Sequence, residues 1–232
     1  MTTLDLFLYV VIPYAAIVLF VGGHIWRYRR DQFGWTSRST QMLEGRWLPW
    51  GSYLFHYGAL AAIAGHVIGM LIPEWLTEAI GIPETIYRYF ISAIPGTAAG
   101  LACAAGFVIL AVRRAYFPRV RRTTSPTDVA VYVLLAAMIG LGTAEVMGVN
   151  LFGAGYDYRP TVGVWFRGIF WLQPNTSLMA SAPTLYQIHA IAAWLLFALW
   201  PFSRLVHAWS LPLQYLGRPY VLYRSRYAAA RK

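Results

Sequence analysis

Acidic residues are scarce in this chain. Asp and Glu number nine among 232 residues, against nineteen Lys and Arg, and charged residues of both signs make up only 12%. A soluble domain usually carries about 25% charge. There is one cysteine, Cys103, which excludes an intramolecular disulfide and a cysteine-ligated iron–sulfur cluster. No CxxCH string occurs, so haem attached covalently through that motif is excluded as well. No repeat or low-complexity tract stands out. The opening "MTTLDLFLYV" lacks a basic n-region and a clear small-residue cleavage site, so it reads as a retained helix and not as a signal peptide.

What the chain has in quantity is apolar surface: 58% of its residues are hydrophobic. Continuous apolar runs of roughly 20 residues recur, the length that crosses a bilayer as a helix. Inside lipid the backbone must satisfy its own hydrogen bonds, so these runs should be helical. The expectation is an all-α integral membrane protein, one domain over residues 1–232, with five transmembrane helices at about 5–27, 49–71, 90–113, 128–149 and 184–210. Ser125 or Thr127 offers an N-cap for the fourth. The formal charge of +10 does not point to nucleic acid, because the cations lie between the apolar runs, as topology signals do.

Those cations set the expected orientation. The first and third connections and the C-terminal segment hold sixteen Arg and Lys, whereas the second and fourth connections hold only Arg88, Arg159 and Arg167. The positive-inside rule then places the first group in the cytoplasm, the N-terminus outside and the C-terminus inside. The long outer connection at about 150–183 contains "VGVWFRGIFWL", for which two readings stand open: an amphipathic interfacial segment or an ordinary aromatic belt.

Four of the five histidines fall inside spans: His56 and His66 on the second, His189 and His207 on the fifth. Ionisable groups at membrane depth usually mark function. The two spans run in opposite directions, so His56 pairs by depth with His207 near the inner leaflet, and His66 with His189 near the outer. The spacings differ, about 15 Å of helix rise on the second span against about 27 Å on the fifth. A kink at Pro201 is one way to absorb part of that difference. Neither span contains Asp, Glu or Cys. Hard cations want oxygen, and structural zinc wants more than two protein ligands. Two trans imidazoles leave four equatorial positions for a porphyrin, so two b-type haems fit best. The competing reading of the histidines is interhelical hydrogen bonding or a proton relay. The small residues Gly58, Ala62, Gly65 and Gly69 follow helical spacing on the second span. They suit either clearance for a flat macrocycle or plain close packing of helices. His24, beside Trp26, Arg27 and Tyr28, has no partner at its depth and reads as interfacial.

Several strings of this chain resemble the gamma subunit of membrane-bound respiratory nitrate reductase, a dihaem cytochrome b. They are "SYLFHYGALAAIAGHVIGML", "FPRVRRTTSPTD" and "LWPFSRLVHAWSLPLQYLGRPY", with "QML" at 41–43 and "IPY" near the start. The resemblance covers nearly the whole chain and is weakest in the outer 150–183 connection. It implies a multi-pass anchor in the cell membrane that oxidises quinol near the outer face. Electrons would pass through two haems to a cytoplasmic iron–sulfur beta subunit and on to a molybdenum alpha subunit that reduces nitrate in anaerobic respiration. It also implies His56, His66, His189 and His207 as haem ligands, and a quinol site near Gly65 and Gly69. A lysine that assists quinol in some members has no counterpart here, Arg88 being the nearest base. Quinol protons released outside, with electrons moving inward, need no proton channel, which agrees with the absence of an acidic relay. Arg204 is placed either to meet a propionate of the inner haem or as a positive-inside cation. The basic third connection and the tail "YVLYRSRYAAARK" suit docking of the beta subunit or attraction to anionic lipid. No residue of the chain is assigned nitrate chemistry. Two other functions remain compatible with the histidines: the dihaem anchor of another quinone-linked oxidoreductase, and a haem-free transporter with a histidine relay.

Overall fold

A computed structural model describes residues 2–210 and residue 217. The basic tail, expected to meet a subunit or lipid, lies outside the described residues. Among those described, every regular element is helical. Five helices are long and apolar enough to cross a membrane: α1 (Thr3–Arg30), α2 (Leu48–Leu71), α4 (Glu84–Tyr116), α5 (Pro126–Leu151) and α7, whose α-helical part is Thr184–Leu199. Short helices α3 (Glu74–Ala79) and α6 (Val162–Phe170) lie in the two connections expected outside. Large apolar side chains such as Val18, Leu60, Phe90 and Val133 point outward, as a bundle solvated by lipid requires.

Proline shapes three of the spans. Pro13 and Pro95 have no N–H, and their rings crowd the carbonyls four residues back. Those carbonyls, of Tyr9 and Ile91, fall inside wider π turns at Phe7–Val11 and Tyr87–Ala93. The Tyr9 carbonyl accepts instead from the indole Nε1–H of Trp165 on α6, at 2.9 Å. The third π segment, Ala144–Leu151 at the end of α5, has no proline and carries the buried Glu145 and Asn150. Ser125 is the N-cap of α5. Its hydroxyl accepts from the Asp128 N–H, and the Asp128 carboxylate accepts from the Ser125 N–H, the reciprocal arrangement of a capping box.

The last span departs most from expectation. It is not one helix to residue 210. The α geometry ends at Leu199, Trp200–Phe202 form a 3-10 turn, Ser203 is extended (φ −120°, ψ −178°), and a second 3-10 segment covers Arg204–Trp209. Pro201 cannot continue the α-helical hydrogen bonding across this point. The freed carbonyls of Pro201 and Ser203 accept from the buried Arg27 guanidinium of α1, at 2.7 and 2.9 Å.

The tightest helix contact joins α2 and α4. A Cβ on Gly58 would lie 2.5 Å from the Cys103 backbone nitrogen, and one on Gly106 would lie 2.2 Å from that of Phe55. Backbones approach this closely in membranes only where side chains vanish. The hydrophobic core gathers elsewhere, where Tyr9, Trp165, Ile169, Met179 and Trp194 pack together. Thus the "VGVWFRGIFWL" stretch is a true helix with Trp165 and Ile169 buried, and its Arg167 donates to the Met70 carbonyl at the end of α2, at 2.8 Å.

Candidate functional site

The four histidines come together as two couples. The His56 and His207 ring centres are 6.0 Å apart with planes at 73°. His66 and His189 are also 6.0 Å apart, with planes at 62°. With metal–imidazole bonds of about 2 Å and about 1 Å from nitrogen to ring centre, two imidazoles on one metal hold their centres about 6 Å apart.

The outer edge of each ring is already engaged. His56 Nδ1 donates to the Ser52 carbonyl at 2.8 Å, His66 Nδ1 to the Ala62 carbonyl at 2.7 Å, and His207 Nδ1 to the Arg204 carbonyl at 2.6 Å. His189 Nδ1 meets the Glu145 carboxylate at 3.0 Å. A donor at Nδ1 fixes the tautomer in which Nε2 carries the lone pair, the state that binds a metal. Among the described residues no hydrogen bond engages Nε2 of any of the four. No third His, Cys, Asp or Glu completes a metal cluster there either. A metal held by such a couple would need further donors from outside the protein, which a porphyrin would supply. His66 is exposed on α2, and a Cβ on the neighbouring Gly65 would meet nothing within 4 Å. There is room beside that couple for a flat group.

The break after Leu199 bears directly on the inner couple. Eighteen residues separate His189 from His207, but they are not five α turns, since His207 sits on the 3-10 segment beyond Ser203. The redirected chain lets His207 meet His56 although the two spacings differ.

The stripe of small residues on α2 divides by role. Gly58 serves the α4 contact, and Gly69 faces Tyr158, whose hydroxyl lies 2.1 Å from a virtual Cβ. Only Gly65 of the three glycines borders open space. Arg204 has a partner that sequence reasoning did not assign: its Nε donates to the Asp128 carboxylate at 2.8 Å, and Asp128 is 1% exposed. Asp128, the third residue of α5 and part of its capping box, thereby ties that helix to the segment bearing His207. His24 donates from Nδ1 to the Phe20 carbonyl at 2.6 Å and packs against Phe20, Trp35 and Trp209.

The two histidine-bearing spans contain no acid, but another span brings one to them. Glu145 of α5 is 8% exposed and contacts the equally buried His189. Spacing within the two histidine-bearing spans does not reveal it. The signal was nevertheless present, because a lone carboxylate in the apolar run "MIGLGTAEVMG" marks function by its position alone. Gly142, one turn earlier, makes the approach possible: a Cβ there would lie 2.8 Å from His189 Cε1.

A second polar cluster lies in the connections expected outside. Arg159 is buried, bonds Asp157 through Nε at 3.0 Å and Nη2 at 2.7 Å, and approaches Glu74 at 3.6 Å. Its guanidinium lies 4.0 Å from the Tyr87 ring centre. Burial raises the Glu74 carboxyl above its usual range, and the negative charge of Asp157 adds to this. For Asp157 burial acts the same way, but the Arg159 hydrogen bonds and charge outweigh it and hold the carboxyl low.

Comparison with known proteins matches residues 5–226 to the family described as nitrate reductase gamma subunit. The nitrate reductase gamma chain of Bacillus subtilis (strain 168) is 46% identical over 216 residues, covering 93% of this chain and 96% of its own. The respiratory nitrate reductase 1 gamma chain of Escherichia coli (strain K12) is 34% identical over 228 residues, covering 98% of this chain and 100% of its own. Nitrate reductase-like protein NarX of Mycobacterium tuberculosis (strain ATCC 25618 / H37Rv) is 46% identical over 218 residues, a match to 33% of that longer protein.

Proposed function

The chain belongs to the nitrate reductase gamma subunit family, and on that premise we propose that it is the quinol-oxidising cytochrome b subunit of the complex. It takes electrons from quinol near the outer face of the cell membrane and delivers them inward to a cytoplasmic iron–sulfur beta subunit. Nitrate is reduced on a separate molybdenum alpha subunit. The observation that carries this reading is the pair of imidazole couples, each with ring centres 6.0 Å apart and every Nδ1 tied to an oxygen acceptor.

His56 with His207, and His66 with His189, would each hold one b haem. Bound there, the haems supply one-electron carriers, one toward each face. The hydrocarbon core is about 30 Å thick, too wide for one efficient electron step, and two carriers divide it. The chain's own part is to hold each ring by its Nδ1 hydrogen bond and to keep water from the buried His189. Gly65, bordering open space beside His66, leaves an approach for a flat quinol ring. Arg204 spends its Nε on Asp128, and among the described residues its terminal nitrogens have no hydrogen-bond partner, which would suit an inner propionate.

A haem-free histidine relay is less well supported. Three of the four imidazoles donate to backbone carbonyls, which accept a hydrogen bond but do not pass a proton onward. A pyridine haemochrome assay decides the matter, with two b haems per chain expected and none refuting the cytochrome reading. In the assembled complex, His66→Ala should abolish quinol oxidation while sparing nitrate reduction by artificial donors. Unchanged quinol turnover would overturn the assignment. Co-purification of iron–sulfur and molybdenum subunits separates this complex from another quinone-linked oxidoreductase.

A further inference from the structure

The four imidazoles are not held alike. Three give their Nδ1 proton to a neutral backbone carbonyl on their own segment. His189 alone gives it to a side-chain carboxylate, and that carboxylate comes from a different helix. Glu145 and His189 are each 8% exposed. The second Glu145 oxygen, Oε1, is buried with no hydrogen-bond partner among the described residues. The carboxylate therefore shares little of its charge with other donors, and water does not screen it.

We propose that Glu145 is the positioning and tuning residue of the outer redox centre. It orients His189 and strengthens it as an electron donor, so that the outer centre is harder to reduce than its imidazole set alone would make it. The inference rests on the haem-bearing reading above. A carboxylate accepting from Nδ1 draws the proton toward itself and gives the ring imidazolate character. The opposite nitrogen, Nε2, becomes more basic and favours the oxidised metal. A fixed negative charge in a low-dielectric setting acts in the same direction, because it opposes the arrival of an electron. The geometry around the contact is specific. The glycine at 142 clears space for the ring, and the wider π turn at Ala144–Leu151 begins where Glu145 must reach inward.

The test is Glu145→Gln in the haem-loaded complex. The carboxamide oxygen still accepts from Nδ1, so ring orientation is kept and only the charge is lost. Redox titration should show the outer centre reduced about tenfold more readily, a rise of about 59 mV for a one-electron couple, with the inner centre unmoved. Two loaded haems with no shift in the outer one would overturn the inference and leave the cytochrome reading intact. A wild-type chain without haem would overturn both. If the variant fails to load, near-infrared magnetic circular dichroism of the wild type decides. Two separate charge-transfer bands are expected, the outer at higher energy from its imidazolate character, and a single shared band would overturn the proposal.

Discussion

Gly142 shows what a missing side chain does at the residue scale. A virtual Cβ at this position lies 2.8 Å from His189 Cε1, closer than carbon atoms approach without displacement. His189 has little freedom to yield, held by Glu145 on one edge and facing His66 on the other. Gly142→Val should therefore push the ring out of line with His66 while leaving the inner couple untouched. Loss of an orienting contact around a metal ligand typically lowers metal affinity by about 10-fold to 100-fold. The expected outcome is one haem per chain in place of two by haemochrome assay, with the remaining spectrum that of the inner site. Full loading with an unchanged outer spectrum would show that the ring can move aside freely. The residues easiest to find in the sequence were the histidines, because imidazoles stand out among apolar neighbours. Glu145 and Gly142 were harder to find, because their significance depends on α5 lying against α7, and no spacing within one helix reveals which helices touch.

At the scale of the element, the break after Leu199 is the feature that sequence patterning handled least well. Apolar periodicity runs on through "LWPFSRLVHAW", so the segment was expected to be one helix over about 184–210, a kink at Pro201 being one way to absorb the difference in spacing. A proline interrupts hydrogen bonding without interrupting hydrophobicity. Whether the chain kinks or breaks depends on what receives the freed carbonyls. Here a side chain from another helix receives them, since Arg27 donates to the carbonyls of Pro201 and Ser203 and also reaches Gly34 at 2.5 Å. The other spans were legible to within a few residues, apart from the six residues by which α4 begins early. Length and hydropathy fix a transmembrane helix more firmly than a soluble one. Arg27→Met keeps much of the apolar stem and removes every donor. Each buried carbonyl left without a partner costs about 1–3 kcal/mol. Since His207 hangs from the segment beyond the break, the inner haem should dissociate first when this variant is heated, with the outer one retained. Spectral melting of the two centres measures this, and simultaneous loss of both would contradict it.

For the molecule as a whole, the charge asymmetry still has to survive the structure. Arg27, Arg113, Arg114 and Arg159 are buried and tied to neighbouring groups. Arg113, for example, binds Glu44 and both the hydroxyl and the carbonyl of Thr40. Such arginines hold loops to helices and are weak topology signals in the finished fold. Setting them aside leaves the imbalance standing, because exposed cations such as Arg38, Arg46, Arg119 and Arg121 lie in the first and third connections. The short helices α3 and α6 and the Asp157–Arg159–Glu74 cluster occupy the connections on the other side. By the positive-inside rule the N-terminus is expected outside, which would place the His66–His189 couple toward the outer leaflet and give the proposed electron path its direction. Two substitutions test this without disturbing either couple. Ile80→Cys puts a thiol on an exposed residue between α3 and α4, and Thr123→Cys puts one on an exposed residue between α4 and α5. The native Cys103 is buried at the α2–α4 contact. A membrane-impermeant maleimide added to intact cells should label the first variant and leave the second unlabelled until the cells are opened. The reverse pattern would invert the molecule and move quinol oxidation at the His66–His189 couple to the cytoplasmic side.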